Sequence, residues 1–392
     1  MTTVNQRRIR LAIIGGGPGS MIGPVHQTAI RFDDLYDLVA GVVSSDAERA
    51  LIRGQGMGIA RPYRTVAELL EGERGRIDGA QVVAIMTPND SHHELCVAAL
   101  LAGFHVICDK PLANSLHDAL DIVELCKTTG RLLCVTYNYS GYPMVRQARA
   151  MIASGSIGRP HLVNINYAQG NLGKLLEEDP ESLTPQLRWR LDPERGGASH
   201  LLLDVGVHAH HLAEYVTGLH FTSVFADTGA AVKGRQFADS AVVVGRLNGD
   251  VRATIQATKA ASGAPNVFSI AVYGDCGGLS WEQAQPNVLQ FMQQDRPVLT
   301  YHRGVDDLSE LARHSIRTPM PQPEGFREAF SNIYADFSSV VAAHEHGVEP
   351  DPLLMTYPTA LEGARGLAFV EACEQSSREG RWIDMPPLGG AA

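Results

Sequence analysis

Five short apolar runs, separated by segments of helical period, fill the first third of the chain and constrain its fold more than any other feature. IRLAIIG (Ile9–Gly15), DLVAGVV (37–43), AQVVAIM (80–86), HVIC (His105–Cys108) and RLLCVTY (131–137) are rich in β-branched residues and lack a strict period-two alternation. That is the pattern of parallel strands buried on both faces. Helical patterns at 25–32, 47–53, 91–102 and 115–128 lie between them. Strand–helix alternation of this kind builds a doubly wound α/β sheet whose ligands sit at the carboxyl ends of the strands. The 392 residues are too many for one ordinary core, so a second domain is expected.

GGGPGSMIG (15–23) stands directly after the first strand and before the first helix. Glycines there let the backbone turn sharply and approach a pyrophosphate, whose charge meets the helix N-terminus. Gly15 and Gly17 fit the start of a dinucleotide loop; the third glycine is either displaced to Gly23 or replaced by Ser20, with Met21 and Ile22 leading into the helix. After the second strand, Ser44-Ser45-Asp46 with Arg49 one turn on should meet the adenosine ribose. No arginine follows Ser44 directly to take a 2′-phosphate, so NAD is expected, with NADP possible. Thr87, Asn89 and His92 follow the third strand, and Asp109 and Lys110 follow the fourth, at the end of the sheet where a nicotinamide lies. Taken locally, Lys110 is equally readable as a solvated loop lysine.

From residue 160 the rhythm changes. HLVNINYA, SAVVVGRL, VRATIQAT, NVFSIAVYG and PVLTYH read as longer strands, the second and third joined by the hairpin signal Asn248-Gly249-Asp250. A helix at about 143–154 precedes them, and helices return near 326–346 and 359–377. The expected fold is α/β: a Rossmann domain over 1–140, then an α+β domain over 141–392 on an open, mostly antiparallel sheet. In the second domain GGASHLLLDVGVHAHH (196–211) concentrates the chemistry. If it is helical, His200, Asp204, His208 and His211 fall on one stripe. Three readings stay open for it: a general acid–base pair, a metal site, or histidines satisfied in a core.

In this order, AIIGGG, TPNDSH, CDKPLA, GSIGRP (155–160), WRLDPERGG (189–197), DVGVHA and RWIDM (381–385) resemble the glucose–fructose oxidoreductase / inositol dehydrogenase / rhizopine-catabolism (Gfo/Idh/MocA) oxidoreductases over nearly the whole chain. The resemblance implies a Rossmann domain, an open-faced sheet domain that often mediates oligomers, and NAD(P)-linked oxidation of a sugar or cyclitol hydroxyl. Lys110 matches the lysine of the family's E-K-P motif, with Asp109 in place of Glu, and Asp204 and His208 match its later D-x-x-x-H pair. The catalytic set is therefore Lys110, Asp204 and His208. His208 is the expected base, Lys110 stabilises the developing alkoxide, and Asp204 orients substrate or imidazole. Residues 18–20 resemble an insertion in the family's glycine loop. Tyr137, Tyr139 and Arg190, with Asp204 and His208, are the expected substrate contacts. Tyrosines and an amide in 137–142, where many members carry a basic residue, suit neutral hydroxyls better than phosphate.

A formal charge of −10, from 33 basic and 43 acidic residues, argues against a nucleic-acid partner. The longest apolar runs are strand-sized, so no membrane span is expected. No secretory h-region follows the N-terminal arginines. Six cysteines without a C-x-x-C pair read as buried free thiols in a reducing cytoplasm. The expected partners are a small polyol and further copies of the chain, assembled through the second sheet; no metal is expected. Two rival functions remain: a metal-dependent sugar hydrolase or isomerase using His200, Asp204, His208 and His210, and a non-catalytic dinucleotide sensor.

Overall fold

The computed structural model describes residues 8–179, 181, 183, 184, 187, 188, 191, 192 and 199–389. These divide into two compact units: residues up to Asn138 together with Phe330–Ala364, and Tyr139–Ala329 together with those from Arg365 on. The sequence reading draws a single boundary at 140, whereas the chain returns to the first unit after residue 329.

The first unit carries a six-stranded parallel sheet of β1 (Ile9–Gly15), β2 (Tyr36–Val42), β3 (Arg61–Pro62), β4 (Val82–Met86), β5 (His105–Cys108) and β6 (Leu133–Val135), in the order β3-β2-β1-β4-β5-β6. The order reverses between β1 and β4, the crevice where a doubly wound sheet binds its ligand. Helices α1 (Gly23–Phe32), α2 (Ala47–Gly56), α3 (Val66–Glu73), α4 (His92–Leu101) and α5 (Leu116–Thr129) connect the strands. Strand β3 and helix α3 had no counterpart in the sequence reading: β3 is two residues long, and its proline leaves no apolar run to detect. A late helical stretch completes this core. Phe330, Ile333, Tyr334, Phe337, Val340 and Val341 recur at helical spacing and pack with Ile13, Ile30, Val82 and Ala84.

The second unit holds α6 (Pro143–Ala153), α7 (Val207–Thr217) and a nine-stranded sheet. Its strands are β7 (Pro160–Ala168), β8 (Phe221–Gly229), β9 (Ser240–Leu247), β10 (Val251–Thr258), β11 (Val267–Gly274), β12 (Gly277–Glu282), β13 (Val288–Met292), β14 (Leu299–His302) and β15 (Ile383–Asp384). They lie in the order β14-β13-β12-β11-β7-β10-β9-β8-β15. Only β7 and β10 pair in parallel; the other neighbours are antiparallel, as expected. Asn248–Asp250 closes the β9–β10 hairpin, with Gly249 and Asp250 both at positive φ. Along β10 burial alternates strictly: Val251, Ala253, Ile255 and Ala257 face the core and the residues between them face out. The outward face, including Asn164, Asn166, Val242, Thr254 and Gln256, lines an open groove.

All six cysteines are free, but the expectation that all are buried fails for Cys276, which is exposed in the turn between β11 and β12, and for the half-buried Cys126. Among the described residues no helix is long and apolar enough to cross a membrane.

Candidate active site

The glycine loop is built by close backbone approach. A Cβ on Gly17 would lie 2.2 Å from the carbonyl oxygen of Val43, just past β2, and one on Gly23 would lie 2.4 Å from that of Gly16. Gly15 turns the chain at φ +84°, which an L side chain rarely adopts. Gly23 is therefore the third, packing glycine, where the first turn of α1 meets the loop. Ser20 closes the turn before it. The Ser20 hydroxyl accepts from the Gly23 N–H at 3.0 Å, while the Ser20 N–H donates to the Gly17 carbonyl at 3.0 Å. The extra residues 18–20 thus form a closed turn and leave the helix entrance intact. This glycine-lined backbone at a helix N-terminus, at the switch point of the sheet, fits a dinucleotide's pyrophosphate. Ile22 packs on the core, whereas Met21 is 64% exposed.

The other expected cofactor contacts separate into two groups. Ser44, Ser45 and Arg49 stay accessible at the end of β2, although Asp46 caps α2 and draws the Arg49 guanidinium back to 3.4 Å. Thr87, Asn89 and Lys110 are partly exposed at the carboxyl ends of β4 and β5. His92 and Asp109 are instead spent on structure. His92 is fully buried, with its ring nitrogens 2.7 Å from the Pro111 carbonyl and 3.0 Å from that of Thr87, so it ties the two loops together. Asp109 accepts from the Thr136 hydroxyl at 2.6 Å and lies 3.8 Å from Nε2 of the buried His26. His26 in turn meets the Tyr334 hydroxyl at 2.6 Å. Burial alone would raise the Asp109 pKa, but His26, Lys110 and Thr136 outweigh it and hold the carboxyl well below the usual range. Both side chains brace the loops that carry them, His92 fully buried and Asp109 with 15% of its side chain still exposed.

In the second unit the His-rich segment is not the uniform α-helix that its spacing predicts. Leu202–Gly206 is a π-helical turn in which the Val207 N–H reaches back to the Leu202 carbonyl, and α7 starts only afterwards. The extra residue per turn breaks the simple stripe, a distortion common at functional sites. Every residue from Ser199 to Thr217 is buried except Asp204, whose side chain keeps 22% exposure. His208 follows on α7, with the Tyr139 ring edge-on at 5.0 Å. Tyr139 is nearly buried and its hydroxyl sits 2.8 Å from that of Tyr167; Tyr137, in the first unit, is wholly buried. Both tyrosines are buried, as is His208 at 7% exposure, and Tyr139 forms a wall beside that histidine. Arg190 lies outside the described residues.

The sequence reading missed the partners of these groups. Lys259 Nζ pairs with Asp204 and lies 3.4 Å from His200 Nε2. Around Tyr139 and Tyr167 runs a set of uncharged groups. Gln169 donates to Asn266 at 2.6 Å, Asn266 donates to Gln283 at 3.1 Å, and Gln283 accepts from Tyr139 at 3.5 Å. One signal was available: the inward register of β10, continued by two, lands on Lys259. A lysine on the buried phase of a strand demands an anion.

The metal reading of the histidines fares poorly. His210 lies 3.2 Å from Glu214 and packs beside Phe221 and Phe369, while His211 stacks on Tyr215. A lysine occupies the space beside His200 and Asp204. Among the described residues, the side chains grouped closely enough to hold a metal ion are His105, His344 and Glu345, in the first unit. There the Leu132 N–H donates to His105 Nδ1 at 3.0 Å, which leaves the proton of the neutral ring on the nitrogen facing Glu345. Arg131 also binds Glu345, at 3.2 Å, so the carboxylate is already matched without a metal.

Residues 9–137 match the family described as "Oxidoreductase family, NAD-binding Rossmann fold", and residues 145–280 match "GFO/IDH/MocA C-terminal domain". The oxidoreductase YfiI of Bacillus subtilis is 30% identical over 96% of this chain and 97% of its own. D-apiose dehydrogenase of Paraburkholderia graminis is 27% identical over 100% of this chain and 93% of its own. An inositol dehydrogenase homolog from Azotobacter vinelandii, solved with NADH and myo-inositol, superposes with a TM-score of 0.87 at 33% identity, covering 96% of this chain and 98% of that one. With both domains matched in order, and a glycine cradle that fits the dinucleotide, the chain belongs to the Gfo/Idh/MocA family of NAD-binding oxidoreductases.

Proposed function

We propose that the protein oxidises a secondary hydroxyl of a neutral cyclic polyol (a sugar, a glycoside or an inositol) with NAD as acceptor. The observation that carries this reading is the charge balance around His208. Among the described residues, Asp204 is matched by Lys259, and the groups linked through Tyr139 beside His208 are phenol and amide: Tyr167, Gln169, Asn266 and Gln283. A phosphate or carboxylate would call for an unmatched arginine fork or lysine cluster. The names of relatives agree, since D-apiose dehydrogenase and myo-inositol 2-dehydrogenase both act on uncharged polyols.

Bound NAD supplies the hydride acceptor; the side chains manage the proton and the developing charge. A ring nitrogen of His208 takes the hydroxyl proton, Lys110 donates to the oxygen as it becomes an alkoxide, and Asp204 orients the hydroxyl. NAD is preferred to NADP because Ser44 and Ser45 present no cation and Arg49 is drawn to Asp46. The open face of the nine-stranded sheet joins copies of the chain into a homo-oligomer, and free thiols suit a cytoplasmic setting.

The test is NADH formation at alkaline pH against hexoses, pentoses, inositols, glycosides, sugar phosphates and linear hydroxy acids. Turnover of a neutral ring polyol, insensitive to chelators, is expected. Turnover confined to phosphates or linear acids would overturn the substrate class, and loss of activity with metal removal would revive the hydrolase reading.

A further inference from the structure

Lys259 is 2% exposed, yet nothing in the roles assigned above requires a second lysine in this unit. Its backbone is fixed from both sides: its N–H donates to the Asp239 carbonyl at 2.8 Å, and its carbonyl accepts from the Leu172 N–H at 3.0 Å. The ammonium thus projects from a fixed point, just past the end of β10, onto Asp204 and toward His200. Burying an ammonium costs several kcal/mol, and a buried ion pair recovers that cost only partly, so net stability is a weak reason for this pair. The pair coincides with two other features. Asp204 sits within the π-helical turn, and it alone among residues 199–217 is not buried.

We propose that Lys259 is a positioning residue for Asp204. It holds one oxygen of the carboxylate, so that the anion meets the substrate in a single orientation. The ammonium is anchored by the sheet and the carboxylate is delivered by the π-turn; neither element fixes the group alone. Because the two charges cancel, the site gains an oriented hydrogen-bond acceptor without becoming an anion repellent. Lys259 therefore acts through Asp204 and makes no contact with the reacting atoms. This inference rests on the polyol dehydrogenase reading for its kinetic consequence, but not for the pairing itself.

Two double-mutant cycles on the full-length protein, using Lys259→Met, Asp204→Asn and the double variant, separate the two claims. In the kinetic cycle, Lys259→Met is expected to lower kcat by about 100-fold, the scale of a misplaced catalytic group, with NADH affinity unchanged by fluorescence titration. In the Asp204→Asn background the same change should cost about threefold or less, because its target is already gone. Equal losses in both backgrounds, or a loss seen only in NADH affinity, would overturn the proposal. The stability cycle, read by denaturant midpoints, should also be non-additive; additive midpoints would overturn the pairing. Should Lys259→Met fail to fold, Lys259→Gln, which keeps a donor but no charge, takes its place with the same expectations. A wild-type protein that turns over no polyol would sink the dehydrogenase reading, while the stability cycle would still decide whether the two residues are coupled.

Discussion

Two aspartates, one in each unit, have opposite fates. Asp109 ends β5 and is taken up within the Rossmann unit by Thr136 and the His26–Tyr334 pair. Asp204 has a buried basic partner too, and its side chain keeps 22% exposure against 15% for Asp109, but it stands in a helix that is otherwise buried. Each carboxylate is held by a residue far off in sequence, 83 positions away for His26 and 55 for Lys259. The difference lies in the backbone beneath them. A loop after a parallel strand can fold a short side chain back into its own core, and Asp109, one methylene shorter than the glutamate of the E-K-P motif, does so. A π-turn in a buried helix does the reverse, rotating one residue out of an otherwise dry segment. A carboxylate turned back into its own loop braces the fold; one turned out of a dry helix can serve a ligand.

The largest expected effect concerns the neighbour of Asp109. Lys110→Ala should lower kcat by about 100–1,000-fold, the usual loss for a donor to a developing oxyanion, with NADH affinity retained. Near-normal turnover with lost NADH binding would assign the lysine to the cofactor instead. The aspartate comparison itself is tested next. Asp204→Asn should be the more damaging to turnover, whereas Asp109→Asn should cost about 1–3 kcal/mol of stability by loosening the buried Thr136 and His26 contacts. Steady-state kinetics and denaturant unfolding of the two variants check the ranking, and a reversed order would break the comparison.

A smaller effect sits at the far end of the same sheet. Burial, against the opposing pull of Glu345, pushes the His105 pKa down to about 4. Below its ordinary value near 6.5 the unfolded chain takes up a proton that the folded chain refuses. Stability should therefore be intact above pH 6.5 and fall as pH drops toward 4, by up to about 3 kcal/mol. His105→Gln, which can still accept from Leu132, should flatten that limb of the Tm–pH curve; an unchanged limb would place the acid sensitivity elsewhere. The smallest effect is cofactor choice: kcat/KM with NAD should exceed that with NADP by roughly tenfold, about 1.4 kcal/mol. A ratio favouring NADP would mean that Arg49 leaves Asp46 for a 2′-phosphate.

Much of the fold was legible because buried strands and helical faces write themselves in local pattern. The five parallel strands, the Asn248–Asp250 hairpin and the two long late helices all have that signature. Strands β8, β12, β13 and β15 did not: β8 breaks its alternation with two adjacent buried residues, Val224 and the preceding Ser223, and the two residues of β15 are too few for any pattern. The candidate site was legible where backbone makes it, as in the glycine loop. It was less so where side chains compete for one another. His92 and Asp109 stood in the right loops, yet only the packing of those loops shows that they brace them.

Sequence alone placed the dinucleotide cradle, because glycines between the first strand and the first helix mark it locally, although the contact that requires Gly17 comes from Val43, past the second strand. It also placed Asp204 and His208 in one segment, since four residues of helix cannot separate them widely. Tertiary structure decided what each polar group does. The π-turn that exposes Asp204, the sheet register that brings Lys259 to it, and the return of residues 330–364 to the first unit depend on contacts between distant segments. Such contacts are set by how cores fill, which no local pattern of residues records.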